Sequence, residues 1–266
     1  MWLISAVFLA LAAFLFAIAG APARLLAWAV SSSQLSATGY SGTLWDGRAA
    51  SMAIATPAGP MQLGSVRWSV APGSLFSLAP TARWHSQWGN QELQGQVRWL
   101  GGQSLALSDV EFTVDAGVLR RLLPLTVSGR FSGLLPEIII ENNRLVSLLG
   151  QVSWSDAVWR DGDKRFSLGS YAVEFRPGAK DSGGGRGDAI GGTEGEVITL
   201  EGPLMAAGEF TLDRDGLFAL GLTLDSERPL APPLERALSL VAAPQDDGFY
   251  LQLQGNLYPT PREPGI

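Results

Sequence analysis

Cysteine is absent from the 266 residues, so no disulfide braces the fold and no thiolate holds a metal. Histidine is nearly absent too: His85 stands alone, in Arg83-Trp84-His85-Ser86-Gln87-Trp88. A hydrolase triad would have to use it, and no Gly-x-Ser-x-Gly elbow singles out a nucleophile; a structural or surface role is expected instead. Charge is scarce, at 17% of residues against a usual ~25%, and it sums to −6. That sign gives no electrostatic footing on a phosphate backbone, which argues against nucleic acid as a partner. Glycine is plentiful, yet no glycine run ends in Lys-Ser/Thr ahead of a helix, so no phosphate-binding loop is present. Asp213-Arg214-Asp215-Gly216 opens like a calcium loop but lacks the closing bidentate acid and reads as a hairpin turn. Arg186-Gly187-Asp188, in a glycine-rich stretch, reads as coincidence. The expectation is no catalytic residue, no cofactor, no metal and no enzyme.

Long, predominantly apolar runs are likewise missing, except at the start. Met1 to Gly20 contains no charged side chain, and the first charge met is Arg24. About 20 apolar residues at ~1.5 Å each make a helix of roughly 30 Å, the depth of a bilayer's hydrocarbon core. A single segment satisfies its backbone there only as a helix. The anchor residues are Trp2, Leu3, Phe8, Leu11, Phe14 and Phe16; Trp2 and Trp28 read either as indole anchors in the headgroup zones or as ordinary apolar residues. Pro22 to Val30 extends the helix, giving an anchor over 1–30. A cleaved secretory signal is the competing reading, since Ala17-Ile18-Ala19, Ala19-Gly20-Ala21 and Ala21-Pro22-Ala23 each present small-x-small. A signal begins with a basic residue and has an apolar core of about 7–15 residues; this segment has neither, so a retained anchor is preferred. Charge leaves the orientation open, with only the terminal amine on one side and Arg24 on the other.

The rest of the chain is turn-rich β structure, with Gly at 32 and Pro at 16. In Leu63 to Val70, Val66, Trp68 and Val70 share one face while Arg67 and Ser69 take the other. The alternation recurs in Gly95 to Trp99 and in Val110 to Val114. It suits an antiparallel sheet with one buried face, where a parallel sheet would show continuous apolar runs. Further strands are predicted over Gly47 to Ala55, Leu125 to Phe131, Leu135 to Ile140, Arg144 to Trp154, Phe166 to Phe175, Val197 to Leu200, Met205 to Leu212, Leu217 to Leu224 and Phe249 to Leu257, with a turn at Ser155 to Trp159. Short connecting helices are predicted over Asp115 to Leu123 and Pro233 to Ala242. Residues 178–196 (GAKDSGGGRGDAIGGTEGE) have little to bury and read as a flexible loop. A Trp-containing segment precedes Leu-Gly-Ser twice, before Leu63-Gly64-Ser65 and before Leu168-Gly169-Ser170. Residues 31–258 are therefore one β domain with two similar units, 35–141 and 143–258, followed by a tail at 259–266.

Gly42-Thr43-Leu44-Trp45-Asp46-Gly47-Arg48-Ala49, some twenty residues past the apolar run, resembles a signature of the type II secretion system protein N family (general secretion pathway protein N). Leu63 to Val70, Gly150 to Ala157 and Leu168 to Phe175 fit the same pattern in the same order. The resemblance implies a single-pass inner-membrane protein with a cytoplasmic N-terminus and a periplasmic body. That body would be a large, curved antiparallel sheet like the β-groove proteins of the AsmA and TamB kind. It implies a non-enzymatic accessory subunit that supports export of folded periplasmic proteins across the outer membrane. Its partners would be other secretion subunits (inner-membrane platform, pseudopilins or secretin) and membrane lipid. The alternative is a periplasmic lipid-binding or lipid-transfer protein with an apolar face open to acyl chains. Gly42, Thr43, Leu44, Trp45, Gly47, Arg48, Trp68 and Trp154 are the candidates for an interaction surface, with Trp84, Trp88 and Trp99 as further aromatics for either reading. Plain core packing is the competing role for most of the tryptophans.

Overall fold

The computed structural model of the chain describes residues 20–25, 35–56, 59–75, 79–117, 126–178, 192–226, 229–245 and 248–258. The anchor residues Trp2, Leu3, Phe8, Leu11, Phe14 and Phe16 lie outside these, as do Trp28, residues 186–188 and the tail at 259–266. Among the described residues, no helix is long and apolar enough to cross a membrane. The fold is mainly antiparallel β with one short α-helix among the described residues. It divides into two compact units, Met1–Trp99 and Leu100–Ile266.

In the first unit β1 (Leu35–Thr38), β3 (Asp46–Thr56), β4 (Gly59–Val70), β5 (Thr81–Trp88) and most of β6 (Gln91–Gly101) form an antiparallel ladder in that order. The two-residue β2 (Ser41–Gly42) also pairs with β3. The alternation that the sequence predicts for β4 is realised: Val66 is buried opposite Ala49 and Ser86, and Trp68 stands between Gly47 and Trp84. Gly64, at φ 68°, makes a bulge against β3; a Cβ there would lie 2.4 Å from the Gln87 carbonyl oxygen.

The second unit runs β7 (Ser104–Asp115), β8 (Val127–Glu141), β9 (Arg144–Asp161), β10 (Lys164–Pro177), β11 (Thr193–Glu201), β12 (Met205–Leu212) and β13 (Leu217–Asp225). Each pairs antiparallel with the next, then β13 with β15 (Gly248–Asn256) and β15 with the short β14 (Ala243–Gln245). Here the second Leu-Gly-Ser has the same job as the first: Gly169, at φ 135°, sits in a bulge of β10 where a Cβ would approach the Glu201 carbonyl oxygen to 2.4 Å. The echo between Leu63-Gly64-Ser65 and Leu168-Gly169-Ser170 is thus a repeated bulge, a position only glycine fills.

Several boundaries differ from the sequence reading, for local reasons. The two strands expected over Leu125 to Phe131 and Leu135 to Ile140 are one strand, β8, because a register shift between Leu134 and Glu137 accommodates Pro136 without ending the ladder. The turn expected over Ser155 to Trp159 is a bulge: Asp156 takes φ 52° and β9 runs on to Asp161. β11 begins at Thr193 rather than Val197, since Gly195 lets the Phe175 ring lie across the backbone, within 3.1 Å of where a Cβ would be. Of the helix expected over Asp115 to Leu123, Asp115 ends β7 and Ala116 and Gly117 are 3₁₀-helical, while 118–123 are outside the described residues. The second helix, α1, spans Pro232–Ser239 and not Pro233 to Ala242; Val241 and Ala242 already turn back on the Leu238 carbonyl.

The second unit's sheet is curled. Four strand spacings of ~4.8 Å would hold β9 and β13 roughly 19 Å apart in a flat sheet. Yet Arg144 at the start of β9 meets Asp215 in the β12–β13 turn at 3.0 Å, and the Leu145 N–H donates to the Tyr258 hydroxyl, just beyond β15, at 2.7 Å. At the opposite end α1 lies on the same inner face. Its Leu234 is buried in a cluster with Leu168, Leu224, Ala242 and Phe249, with Leu238 packed against it one turn further along.

Candidate functional site

The candidate residues gather in two places, one in each unit. In the first, the Gly-Thr-Leu-Trp-x-Gly-Arg-Ala stretch folds into a tight corner between β2 and β3. The Thr43 hydroxyl accepts from the Asp46 N–H at 3.0 Å, and the Thr43 N–H donates to the Asp46 carbonyl at 2.8 Å. Gly42 takes φ 85°, and Gly47 is buried with Thr43 O and the Trp68 ring each 2.6 Å from where a Cβ would be. Trp68 donates its indole N–H to the Leu44 carbonyl at 3.0 Å and meets the Tyr40 ring edge-on. The Trp45 carbonyl accepts from the Val70 N–H, and Arg48 Nε donates to the Ser41 hydroxyl at 3.0 Å. The corner also grips the chain arriving from the N-terminal side, so the helical extension expected over Pro22 to Val30 does not start at Pro22: Pro22 bridges Thr43 antiparallel and Ala23 and Arg24 form a turn, while residues 26–30 lie outside the described residues. Ala23 N–H donates to Gly42 O, Leu44 N–H donates to Ala21 O, and Ala23 is 1% exposed. Six of the eight candidate surface residues therefore build one corner of the first unit, and Trp68 packs on it; Trp154 belongs to the second unit.

In the second unit three apolar rows cross the inner face. Register places Phe131, Trp154 and Tyr171 in one, Val152, Val173 and Val197 in the next, and Phe175, Phe210 and Leu220 around Gly195 in the third. The opposite face of the same strands presents Gln151, Glu174, Glu196 and Glu209 to solvent in one cross-strand line. Between the rows lies an apolar cavity of about 360 Å³, whose fourteen lining residues are all aliphatic or aromatic. Trp154 stacks on Phe131 at 5.3 Å and tilts against Tyr171 at 6.0 Å. The Tyr171 hydroxyl reaches Leu168 O at 2.9 Å and Leu204 O at 2.8 Å, and burial raises its pKa from 10.0 to about 12. The cavity wall thus offers an occupant hydrocarbon, with its one hydroxyl already engaged. Trp154 Nε1, buried beside Gly129, has no hydrogen-bond partner.

Chemistry for a reaction does not assemble around the remaining candidates. His85 is part-exposed on β5, with Nδ1 3.6 Å from Glu92. Asp213 closes a hairpin, its carboxylate accepting from the Leu217 N–H at 2.9 Å, as the sequence reading of 213–216 expects. Among the described residues, no group of three His, Asp or Glu is placed to hold a metal.

The model of the family described as type II secretion system, protein N, matches residues 33–252. The chain belongs to that family. The match takes in the signature stretch of the first unit and all fourteen cavity-wall residues of the second, so both are parts of a secretion-system component. No curated protein and no solved structure matches the chain. Sequence reasoning named Trp154 but missed the rest of the cavity wall. Its signal was present in Leu168 to Phe175, where Tyr171, Val173 and Phe175 alternate with Ala172 and Glu174.

Proposed function

We propose that this chain is a non-enzymatic accessory subunit of the type II secretion system, held in the inner membrane by the apolar run Met1 to Gly20 with its β body in the periplasm. It supports export of folded proteins by contacting other secretion subunits. The family match over 33–252 carries this reading; the uncharged run from Met1 to Gly20 supplies the tether. For the contacts, the two outer strands differ in a way that points to one of them. β14 is three residues long and contains Pro244, which blunts it as a template. β1 pairs only with β3 among the described strands, leaving a row of N–H and C=O groups on its other side for strand addition. The tether is tested by fusing alkaline phosphatase to the C-terminus of the full chain and fractionating cells. Phosphatase activity in the inner-membrane fraction is expected; an inactive fusion, or a product free of membranes, refutes the topology.

A further inference from the structure

The cavity of the second unit is concave, bounded and chemically uniform. α1 covers one end of the curled inner face through Leu234 and Leu238, and Arg144–Asp215 with Tyr258 ties the other. Its volume of about 360 Å³ falls within the ~300–1,000 Å³ of pockets that take small ligands. Water is a poor occupant, because a buried water needs two to four polar partners and the wall offers none free except the Trp154 indole N–H. An extended peptide is no better, since its N–H and C=O groups would be stripped of water against hydrocarbon. A helix of about 10 Å diameter satisfies its own backbone but exceeds the space. A hydrocarbon chain meets every condition.

We propose that this cavity binds one acyl chain, lying along the rows of Tyr171, Val173 and Phe175 with its polar end outside. The chain comes either from a free fatty acid or from a phospholipid. The proposed membrane tether, Met1 to Gly20, makes phospholipid the nearer source, and that choice rests on the tether rather than on the cavity's own chemistry.

Trp154 in the wall is a built-in reporter. The full chain is placed in phosphatidylcholine vesicles and titrated with mid-chain-brominated palmitic acid; in a second arm the vesicles themselves contain chain-brominated phosphatidylcholine. The difference between the parent chain and W154F isolates quenching at the cavity from quenching at Trp2 and Trp28. Quenching by the fatty acid alone assigns a free acid, and quenching by the phospholipid assigns a lipid chain. Val173→Phe takes space from the acyl chain, and displacing about two methylenes should weaken half-saturation about tenfold. Leu220→Gln, which keeps the wall's volume and adds an amide, tests the same point if V173F does not fold. No Trp154-specific quenching in either arm overturns the proposal. So does quenching that persists at the parent half-saturation in whichever of the two variants retains the parent's far-ultraviolet circular dichroism. Failure of the tether appears separately, as loss of vesicle co-flotation with fatty-acid quenching at Trp154 intact.

Discussion

Tyr171→Phe is the sharpest probe of the second unit, because it changes one oxygen atom with two consequences that differ in pH. The hydroxyl is the donor shared by the Leu168 and Leu204 carbonyls. Leu168 O also receives the Leu204 N–H at 3.1 Å and stays paired without it, whereas the Leu204 carbonyl would lose the bond from the hydroxyl. An unsatisfied buried acceptor costs about 1–3 kcal/mol. For a body of this size each kcal/mol lowers the melting temperature by about 2–4 °C. The second consequence comes from the raised pKa. Burial holds the folded-state value at about 12 against 10.0 when exposed, so the neutral hydroxyl's contribution is complete below pH 10. It is lost as pH climbs from 10 towards 12, by on the order of 2–3 kcal/mol in full. Urea denaturation followed by circular dichroism, at steps from pH 7 to 11, should show Y171F less stable than the parent at pH 7 and the gap narrowing above pH 10. Equal stability at pH 7, or a gap that stays constant through pH 11, would refute the assignment of Tyr171 as a buried, engaged donor.

Other expectations concern close backbone approaches and the clasp. Gly47→Ala should destabilise the first unit by about 1–3 kcal/mol, because the new methyl meets Thr43 O and the Trp68 ring at 2.6 Å. Gly73→Ala, with nothing within 4 Å, should leave the same melt unchanged. Gly208→Ala places a methyl 1.9 Å from the Gly221 carbonyl oxygen, and loss of the folded second unit, read by near-ultraviolet circular dichroism, is the expected result. Arg144→Ala removes a pair whose side chains are 51% and 80% exposed; it should cost under about 1 kcal/mol and less at high salt. Trp68→Phe removes the indole bond to Leu44 O and should cost about 1 kcal/mol in the same denaturation assay.

Much of the fold was legible because a sheet with one wet face writes itself as a period of two. Val66, Trp68 and Val70 share a face in the sequence and in the ladder, and Met205 to Leu212 is a strand in both. The places that stayed hidden are those where backbone geometry, not patterning, decides. Pro136 and Ser155–Asp156 look like breaks because proline and short polar residues commonly end strands, yet bulges absorb them. Thr193 to Glu196 looks like loop because its glycine is read as freedom; in place, the missing side chain at 195 leaves room for the Phe175 ring. The cavity was harder still. Phe131, Tyr171 and Phe210 are far apart in sequence, and only the register brings them to one face. The signature was found by its residues, while its shape, a corner that fastens residues 21–23 to β2, required Gly42 and Gly47 in place.

Action by contact with other secretion subunits at the inner membrane is tested most directly by photo-crosslinking. A photo-reactive residue is placed at Ser36 or Thr38 of the full chain, on the outward-facing positions of β1, and intact cells of the natural host are irradiated. Mass spectrometry of the adducts should recover another component of the secretion system. Adducts with phospholipid alone, or with no protein at all, would contradict it.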